Sequence, residues 1–193
     1  MLTDARIEQI LKDSGALLTG HFQLTSGRHS DKYMQCAKIL QSPAYAVELV
    51  SHLAEQFKDD CIDIVIAPAV GGIVIGYELA RQLGTTSLFA ERENGVMTLR
   101  RGFEIPAGAK VVVAEDVITT GGSVMEVIDI VKQSGGIVAG VALLVDRSGG
   151  TIDFGAKTAA AYTTAVVSYE ADKCPICAAG QVPLSKPGSR ALA

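Results

Sequence analysis

The residues best suited to chemistry lie between Glu115 and Ser123, where two acids are followed by threonines and glycines. Ionised carboxylates only accept hydrogen bonds, so Glu115 and Asp116 suit vicinal hydroxyls, as on a ribose, or the water shell of Mg²⁺. Gly121 and Gly122 let the backbone approach a ligand, and backbone N–H groups at a helix N-terminus favour a phosphate. The order of these groups therefore indicates a ribose 5-phosphate.

The neighbouring elements predict that this stretch lies at the end of a central strand. Residues 111–114 form a short apolar run typical of a buried parallel strand, and apolar residues at helical spacing begin at Val124. Ligands of open α/β sheets bind at the carboxyl ends of the strands. Taken alone, the two glycines would indicate a turn and the two acids a polar strand end, whereas the ordered string favours a ligand site.

The string KVVVAEDVITTGGSV at residues 110–124 resembles the PRPP-binding motif of the type I phosphoribosyltransferases. In that family the paired acids hold the ribose hydroxyls of PRPP, and the following loop cradles its 5-phosphate. The resemblance implies catalytic roles for Glu115 and Asp116, with Mg²⁺ held near them through PRPP and no direct protein ligand. It implies that PRPP is bound by Glu115, Asp116, Val117, Ile118, Thr119, Thr120, Gly121, Gly122 and Ser123.

A second loop follows the predicted strand at residues 62–67. In the family this position binds pyrophosphate, so the resemblance assigns that role to Ala69, Val70, Gly71 and Gly72. It also predicts a cis peptide bond between Ala69 and Val70. A plain β–α turn is the alternative from sequence alone. Some members carry a lysine in this loop and this chain does not, so its contact with pyrophosphate would rely on main-chain N–H groups.

Residues 91–103 form a charged segment with an Asn-Gly tight-turn signal at positions 94 and 95. The resemblance implies a mobile catalytic loop that closes over the site of a neighbouring subunit, and a solvated hairpin is the alternative. A guanidinium group can donate two parallel hydrogen bonds to phosphate oxygens, so Arg92 and Arg100 are predicted to be catalytic contacts of the leaving pyrophosphate. Better-known members have lysines and a histidine in a longer loop, and neither is found in this one.

Two further segments resemble the base-binding parts of orotate phosphoribosyltransferases. Residues 24–30, LTSGRHS, match the hood over the base, and residues 146–150, DRSGG, match the element whose arginine binds the orotate carboxylate. The alternative for that arginine is a surface ion pair. Thr25 stands where many members have a lysine that contacts PRPP. The resemblance implies orotate contacts from Thr119, Arg147, Ser26 and Tyr33.

The resemblance implies an enzyme that transfers ribose 5-phosphate from PRPP to orotate, giving orotidine 5′-phosphate and pyrophosphate in pyrimidine biosynthesis. It also implies a homodimer with the mobile loop acting in trans. A phosphoribosyltransferase for a purine base is one alternative, and a PRPP-sensing regulator on the same fold is another. The expected fold is α/β, with a mainly parallel Rossmann-like sheet, helices on both faces and a small N-terminal hood.

Length and composition agree with such an enzyme. The 193 residues, 48% of them apolar, predict one domain, with a hood from about residues 1–40 plus the C-terminal tail and a core at about 41–170. A net charge of −4 without a basic block argues against nucleic acid, and no apolar run is long enough for a membrane span. Four cysteines do not indicate a disulfide framework, so a cytoplasmic location is expected.

The tail contains a lone CxxC motif at Cys174 and Cys177. A zinc site needs four ligands, and the other candidates lack a partner spacing or are scattered along the chain: Cys36, Cys61, His21, His29 and His52. A local turn is the favoured interpretation of the motif. A redox pair, or a zinc site completed by two subunits, is the alternative.

Overall fold

A computed structural model describes residues 2–24, 26–165 and 167–187 of the chain. In chain order its elements are α1 (Asp4–Asp13), β1 (Leu17–Gln23), β2 (His29–Met34), α2 (Ala37–Leu40), α3 (Pro43–Phe57), β3 (Ile64–Pro68), α4 (Gly72–Leu83), β4 (Thr86–Glu93), β5 (Val96–Leu99), β6 (Lys110–Ile118), α5 (Gly122–Gln133), β7 (Ile137–Asp146), β8 (Thr158–Thr163), a 3₁₀ turn (Ala171–Lys173) and α6 (Pro175–Ala179).

Six strands form one sheet in the order β5-β4-β3-β6-β7-β8. All neighbouring strands are parallel except the edge pair β4–β5. Alternate side chains of the central strands enter two apolar clusters, one with α1, α3 and α4 and the other with α5. The predicted fold class, a mainly parallel sheet covered by helices on both faces, is confirmed.

Strand β6 is longer than its sequence indicated. The prediction ended the strand at Ala114, but it continues to Ile118 because β7 extends alongside it. Glu115 is paired with Leu143, and Ile118 with Asp146. The two acids therefore lie near the end of a central strand, where pairing with β7 fixes the backbone.

Residues 20–36 are polar in sequence, but most of them form paired strands. They belong to an antiparallel hairpin, β1–β2, here called the hood hairpin, in which Leu17 pairs with Met34 and Gln23 with His29. Residues 167–187, here called the tail, lie against this hairpin. The main chains of His29 and Tyr169 exchange two hydrogen bonds of 2.8 Å, and Ser185 N donates to His21 O at 2.9 Å.

The segment predicted as a long loop is also a hairpin. Strand β4 continues to Glu93, and its partner β5 begins at Val96. Asn94 and Gly95 make the turn between them, both with positive φ, as the Asn-Gly signal indicated. This structure, here called the arm hairpin, forms one edge of the sheet.

Among the described residues, no helix is both long and apolar enough to cross a membrane.

Candidate active site

Glu115 and Asp116, here called the acid pair, lie at the carboxyl end of β6. Glu115 is 8% exposed and Asp116 is half-buried. Asp116 N donates to Glu115 Oε1 at 3.1 Å, and Val117 N donates to Asp116 Oδ1 at 2.8 Å. Burial raises the pKa of both carboxyls, and the charge of Asp116 raises that of Glu115 further. Burial therefore makes ionisation of the acid pair unfavourable, and hydroxyl donors of a ligand would stabilise the ionised carboxylates.

The loop at residues 69–72, here called the glycine loop, rests directly on the acid pair. A Cβ at Gly71 would lie 2.9 Å from both Asp116 carboxylate oxygens, and a Cβ at Gly72 would lie 3.0 Å from Glu115 Oε1. Only glycine permits this approach. The predicted cis peptide bond between Ala69 and Val70 is confirmed. The structure therefore brings the predicted pyrophosphate loop and the predicted ribose acids together.

Residues 119–123, here called the phosphate turn, border a cavity of about 310 Å³ together with Glu115 and Arg92. Gly121 precedes α5 with φ 74°, a left-handed conformation, and a Cβ there would lie 2.9 Å from the Phe154 ring. The first N–H groups of the twelve-residue α5 follow. The cavity thus joins a carboxylate to a helix N-terminus, an arrangement that accepts an anion beside a hydroxyl-bearing group.

The predicted catalytic arginines have different positions. Arg92 borders the cavity at the phosphate turn, pairs with Glu126 of α5 at 2.7 Å and donates to Gly95 O at 2.8 Å. Arg100 instead pairs with Glu91 at 3.4 Å and Glu93 at 3.2 Å, on the arm hairpin itself. Arg92 therefore lines the cavity, whereas Arg100 is not among its lining residues.

Arg147 and Tyr33 border a second cavity of about 80 Å³, here called the base cavity, between the hood hairpin and the strand β8 edge. Arg147 N donates to Ile118 O at 3.0 Å, which places the base cavity beside the end of β6. The Nε of Arg147 is buried and has no hydrogen-bond partner among the described residues. Burial lowers the pKa of Arg147. A half-buried guanidinium whose buried Nε donor is unused is suited to an anionic ligand.

Two predicted base contacts, Ser26 and Thr119, do not border the base cavity. Ser26 is exposed in the turn of the hood hairpin, and Thr119 borders the cavity at the phosphate turn rather than the base cavity. Thr25 lies outside the described residues. The structure therefore brings Tyr33 and Arg147 together but not Ser26, and it groups Thr119 with the phosphate-binding part of the site.

Sequence reasoning missed Asp146 and Lys32. The buried Asp146 carboxylate accepts hydrogen bonds from Ser148 N at 2.7 Å, Ser148 Oγ at 2.6 Å and Gly150 N at 3.0 Å, and so fixes the loop that carries Arg147. An aspartate whose side chain accepts a hydrogen bond from the N–H group two residues later forms an Asx turn, and the sequence Asp-Arg-Ser-Gly is typical of that turn. Lys32 also borders the base cavity, but it lies on a polar strand whose sequence, HSDKYM, has no pattern that singles it out.

The burial of Glu115 predicts a pH-dependent stability of the ligand-free protein. Its pKa is raised from 4.5 to about 8 in the folded state. The unfolded chain ionises first, so this contribution to the free energy of unfolding is complete below about pH 4.5 and is lost as the pH rises to about 8. Over this pH range the free energy of unfolding of the wild type should fall by on the order of a few kcal/mol because of Glu115. We expect Glu115→Gln to abolish this fall, which urea unfolding at several pH values would measure.

The exposed Glu104 provides the matched control, since Glu104→Gln removes a carboxylate of the same kind from the surface. That variant should keep the pH dependence of the wild type. If the Glu115→Gln protein lost stability over this range as steeply as the wild type, the assignment of the dependence to Glu115 would be wrong.

Comparisons with known proteins agree on one family. The family model described as the phosphoribosyl transferase domain matches residues 37–158. The orotate phosphoribosyltransferase of Pelotomaculum thermopropionicum is 56% identical over 191 residues, which cover 99% of this chain and 100% of that protein. The orotate phosphoribosyltransferase of Caldicellulosiruptor bescii is 55% identical over 98% of this chain and 99% of its own.

Solved structures show the same similarity. The crystal structure of orotate phosphoribosyltransferase from Aeropyrum pernix matches with a TM-score of 0.69 and 28% identity, over 81% of this chain and 93% of that chain. An adenine phosphoribosyltransferase from Thermoanaerobacter pseudethanolicus matches with a TM-score of 0.60 and 18% identity, over 68% and 88% of the two chains. At that identity the second likeness shows a shared fold alone.

Proposed function

The chain belongs to the phosphoribosyltransferase family, among its orotate phosphoribosyltransferases, and from this premise we propose how its residues perform that reaction. The reaction joins orotate to the anomeric carbon of PRPP and releases pyrophosphate, giving orotidine 5′-phosphate. The single observation that carries the base assignment is the buried Nε of Arg147, which lacks a partner among the described residues and lies beside Tyr33 at the end of β6.

The acid pair would receive the ribose hydroxyls of PRPP. Hydroxyl donors stabilise ionised carboxylates, so they would offset the burial that raises both pKa values. The phosphate turn would hold the 5-phosphate with hydroxyls and the N–H groups at the start of α5. The sugar would thereby lie across the end of β6 with its anomeric carbon toward the glycine loop, which touches the acid pair.

The pyrophosphate group would lie between the glycine loop and the arm hairpin. Arg92 borders the same cavity as the phosphate turn, and its present partner, Glu126, would be exchanged for pyrophosphate oxygens. For Arg100 to take part, it would have to leave Glu91 and Glu93. Its catalytic role therefore stays a prediction, and Arg92 is the residue we favour for charge neutralisation of the leaving group.

The acid pair and the oxygens of PRPP fit Mg²⁺, because a hard cation prefers oxygen donors and keeps part of its water shell. When bound, Mg²⁺ would supply positive charge to the departing pyrophosphate. The two carboxylates would orient the ribose and accept hydrogen bonds from it, and the main chain of the glycine loop would exclude water from one side. No side chain of the site is assigned as a general base, since orotate gives up its ring proton readily.

We also propose a homodimer in which Arg92 serves the site of its own chain, while the rest of the arm hairpin reaches the site of the partner. Sedimentation velocity and mixing of inactive variants would test it. The four free cysteines suit a reducing compartment, so the cytoplasm is the proposed location.

The activity is tested by the loss of orotate absorbance after PRPP and Mg²⁺ are added. We expect turnover that requires all three components and produces pyrophosphate in a one-to-one ratio with the orotate consumed. Adenine and xanthine, offered in place of orotate, should give no pyrophosphate above background. Turnover of a purine base in preference to orotate would contradict the proposed function and would favour a purine phosphoribosyltransferase.

A further inference from the structure

Four side chains that the proposed reaction does not use meet where the tail crosses the hood hairpin. They are His21, His29, Cys174 and Cys177, and their ligand atoms all lie within 4.8 Å of one another. Three of the four residues are buried, and Cys177 is exposed. The expectation that the histidines and the CxxC motif are scattered is wrong for this set, because folding brings together residues 153 positions apart.

Four of the six distances within this cluster are close to the edges of a tetrahedron around zinc. His21 Nε2 lies 3.1 Å from His29 Nδ1 and 3.5 Å from Cys174 Sγ. Cys177 Sγ lies 3.6 Å from His21 Nε2 and 3.3 Å from His29 Nδ1. Zinc–nitrogen bonds of about 2.0–2.1 Å and zinc–sulfur bonds of about 2.3 Å give edges of about 3.3–3.6 Å for such pairs.

A hydrogen bond at Nδ1 of His21 fixes the tautomer of the ring. Its Nδ1 lies 3.1 Å from Val182 O, and a carbonyl only accepts, so Nδ1 carries the proton and donates it. The lone pair of the neutral ring is then on Nε2, the atom that faces the two thiols and His29. This carbonyl–histidine arrangement is the outer shell that orients histidine ligands in protein metal sites.

The two ligand pairs come from segments that the main chain holds in register. His21 and His29 lie on the hood hairpin, whose strands pair with Ser185 and Tyr169 of the tail. Cys174 and Cys177 lie at the start of α6, within the tail. All cysteines of the chain are free thiols. The backbone therefore presents two imidazoles and two thiols to one point, and no disulfide competes for the sulfurs.

We propose that His21, His29, Cys174 and Cys177 bind one zinc ion in each chain as a closed structural site. Two thiolates and two imidazoles at tetrahedral spacing select zinc, whereas Mg²⁺ and Ca²⁺ take oxygen ligands. All four positions are filled by protein, which leaves no open position for substrate. The exposed Cys177 provides the entry side for the ion.

The ion fastens the tail to the hood hairpin behind the base cavity. That cavity is bordered by Tyr33 of the hairpin, by Thr164 after β8 and by Val167, the first residue of the tail. Zinc binding thus couples to the position of the residues around the base rather than to the chemistry at the acid pair. The unfolded chain lacks the preformed site, so binding also adds to the free energy of unfolding.

The test uses the full chain, prepared without a histidine tag and in the presence of a reductant. We expect one zinc per chain by elemental analysis, and a thiolate-to-metal charge-transfer band with tetrahedral d–d bands after replacement by Co²⁺. Cys177→Ser should weaken metal affinity by at least about tenfold and reduce the charge-transfer band. Cys61→Ser and His52→Gln, outside the cluster, are the matched controls and should bind metal as the wild type does.

Several outcomes would overturn the proposal. One is a reduced chain that does not take up stoichiometric zinc or Co²⁺, and another is bound Co²⁺ without a thiolate band, neither of which depends on any variant folding. A Cys174–Cys177 disulfide that persists under reductant would indicate a structural disulfide and would leave no thiolates for the metal. Should Cys177→Ser fail to fold, Cys177→His keeps four ligands and should bind Co²⁺ with a weaker thiolate band; an unchanged band would also contradict the site.

Discussion

Asp116→Asn is expected to lower kcat/KM for PRPP by about 100- to 1,000-fold, the effect of removing one preorganised polar group from a transition-state site. The amide keeps the size of the side chain but loses its charge and one acceptor oxygen. Both Asp116 oxygens lie against the Gly71 backbone, so the new NH₂ group would face the glycine loop where the ligand is expected. Steady-state kinetics with PRPP as the varied substrate measures the loss.

The same substitution should leave the free energy of unfolding unchanged or raise it, because burial disfavours the charged carboxylate. A purely structural role would lower activity and stability together, so urea unfolding separates the two. Asp129→Asn, on the exposed side of α5, is the matched control and should leave both unchanged. Near-normal turnover by Asp116→Asn would show that the ribose is not held by this carboxylate.

The parts of the fold that could be predicted were those whose residues carry their own signal. Residues 64–67 of β3 and 111–114 of β6 are buried on both faces of the sheet, so each forms a continuous apolar run in the sequence. The phosphate turn and the acid pair are one contiguous string, and the chain itself forms that side of the site. Their arrangement follows from the end of one strand and the start of one helix.

The parts that could not be predicted depend on partners distant in sequence. The hood hairpin is half exposed and lacks a clear apolar alternation, and its hydrogen-bond partners lie in the tail. The position of Arg100 was unpredictable because the arm hairpin brings it close to Glu91 and Glu93 only once β4 and β5 are paired. The cluster of His21, His29, Cys174 and Cys177 likewise exists only after the tail crosses the hairpin.

Arg147→Ala is expected to raise KM for orotate by about 10- to 100-fold with little change in KM for PRPP, since a hydrogen bond to a charged group contributes about 1.5–3 kcal/mol. Arg147 has no ion pair among the described residues and its Nε lacks a partner there, so an orotate carboxylate would supply both. Its main-chain bond to Ile118 and the Asp146 turn do not need the side chain, so the loop should persist.

Arg147→Lys tests the geometry of that contact, because an ammonium keeps the charge but cannot form the two parallel bonds of a guanidinium. We expect it to recover only part of the orotate affinity. Arg81→Ala, which removes an exposed arginine paired with Glu78 on α4, is the matched control and should leave both KM values unchanged. If Arg147→Ala raised KM for PRPP as much as KM for orotate, or raised KM for PRPP alone, Arg147 would belong to the sugar-phosphate site. The base would then have to be recognised by another residue of the base cavity. Lys32 is the other cationic side chain that borders this cavity.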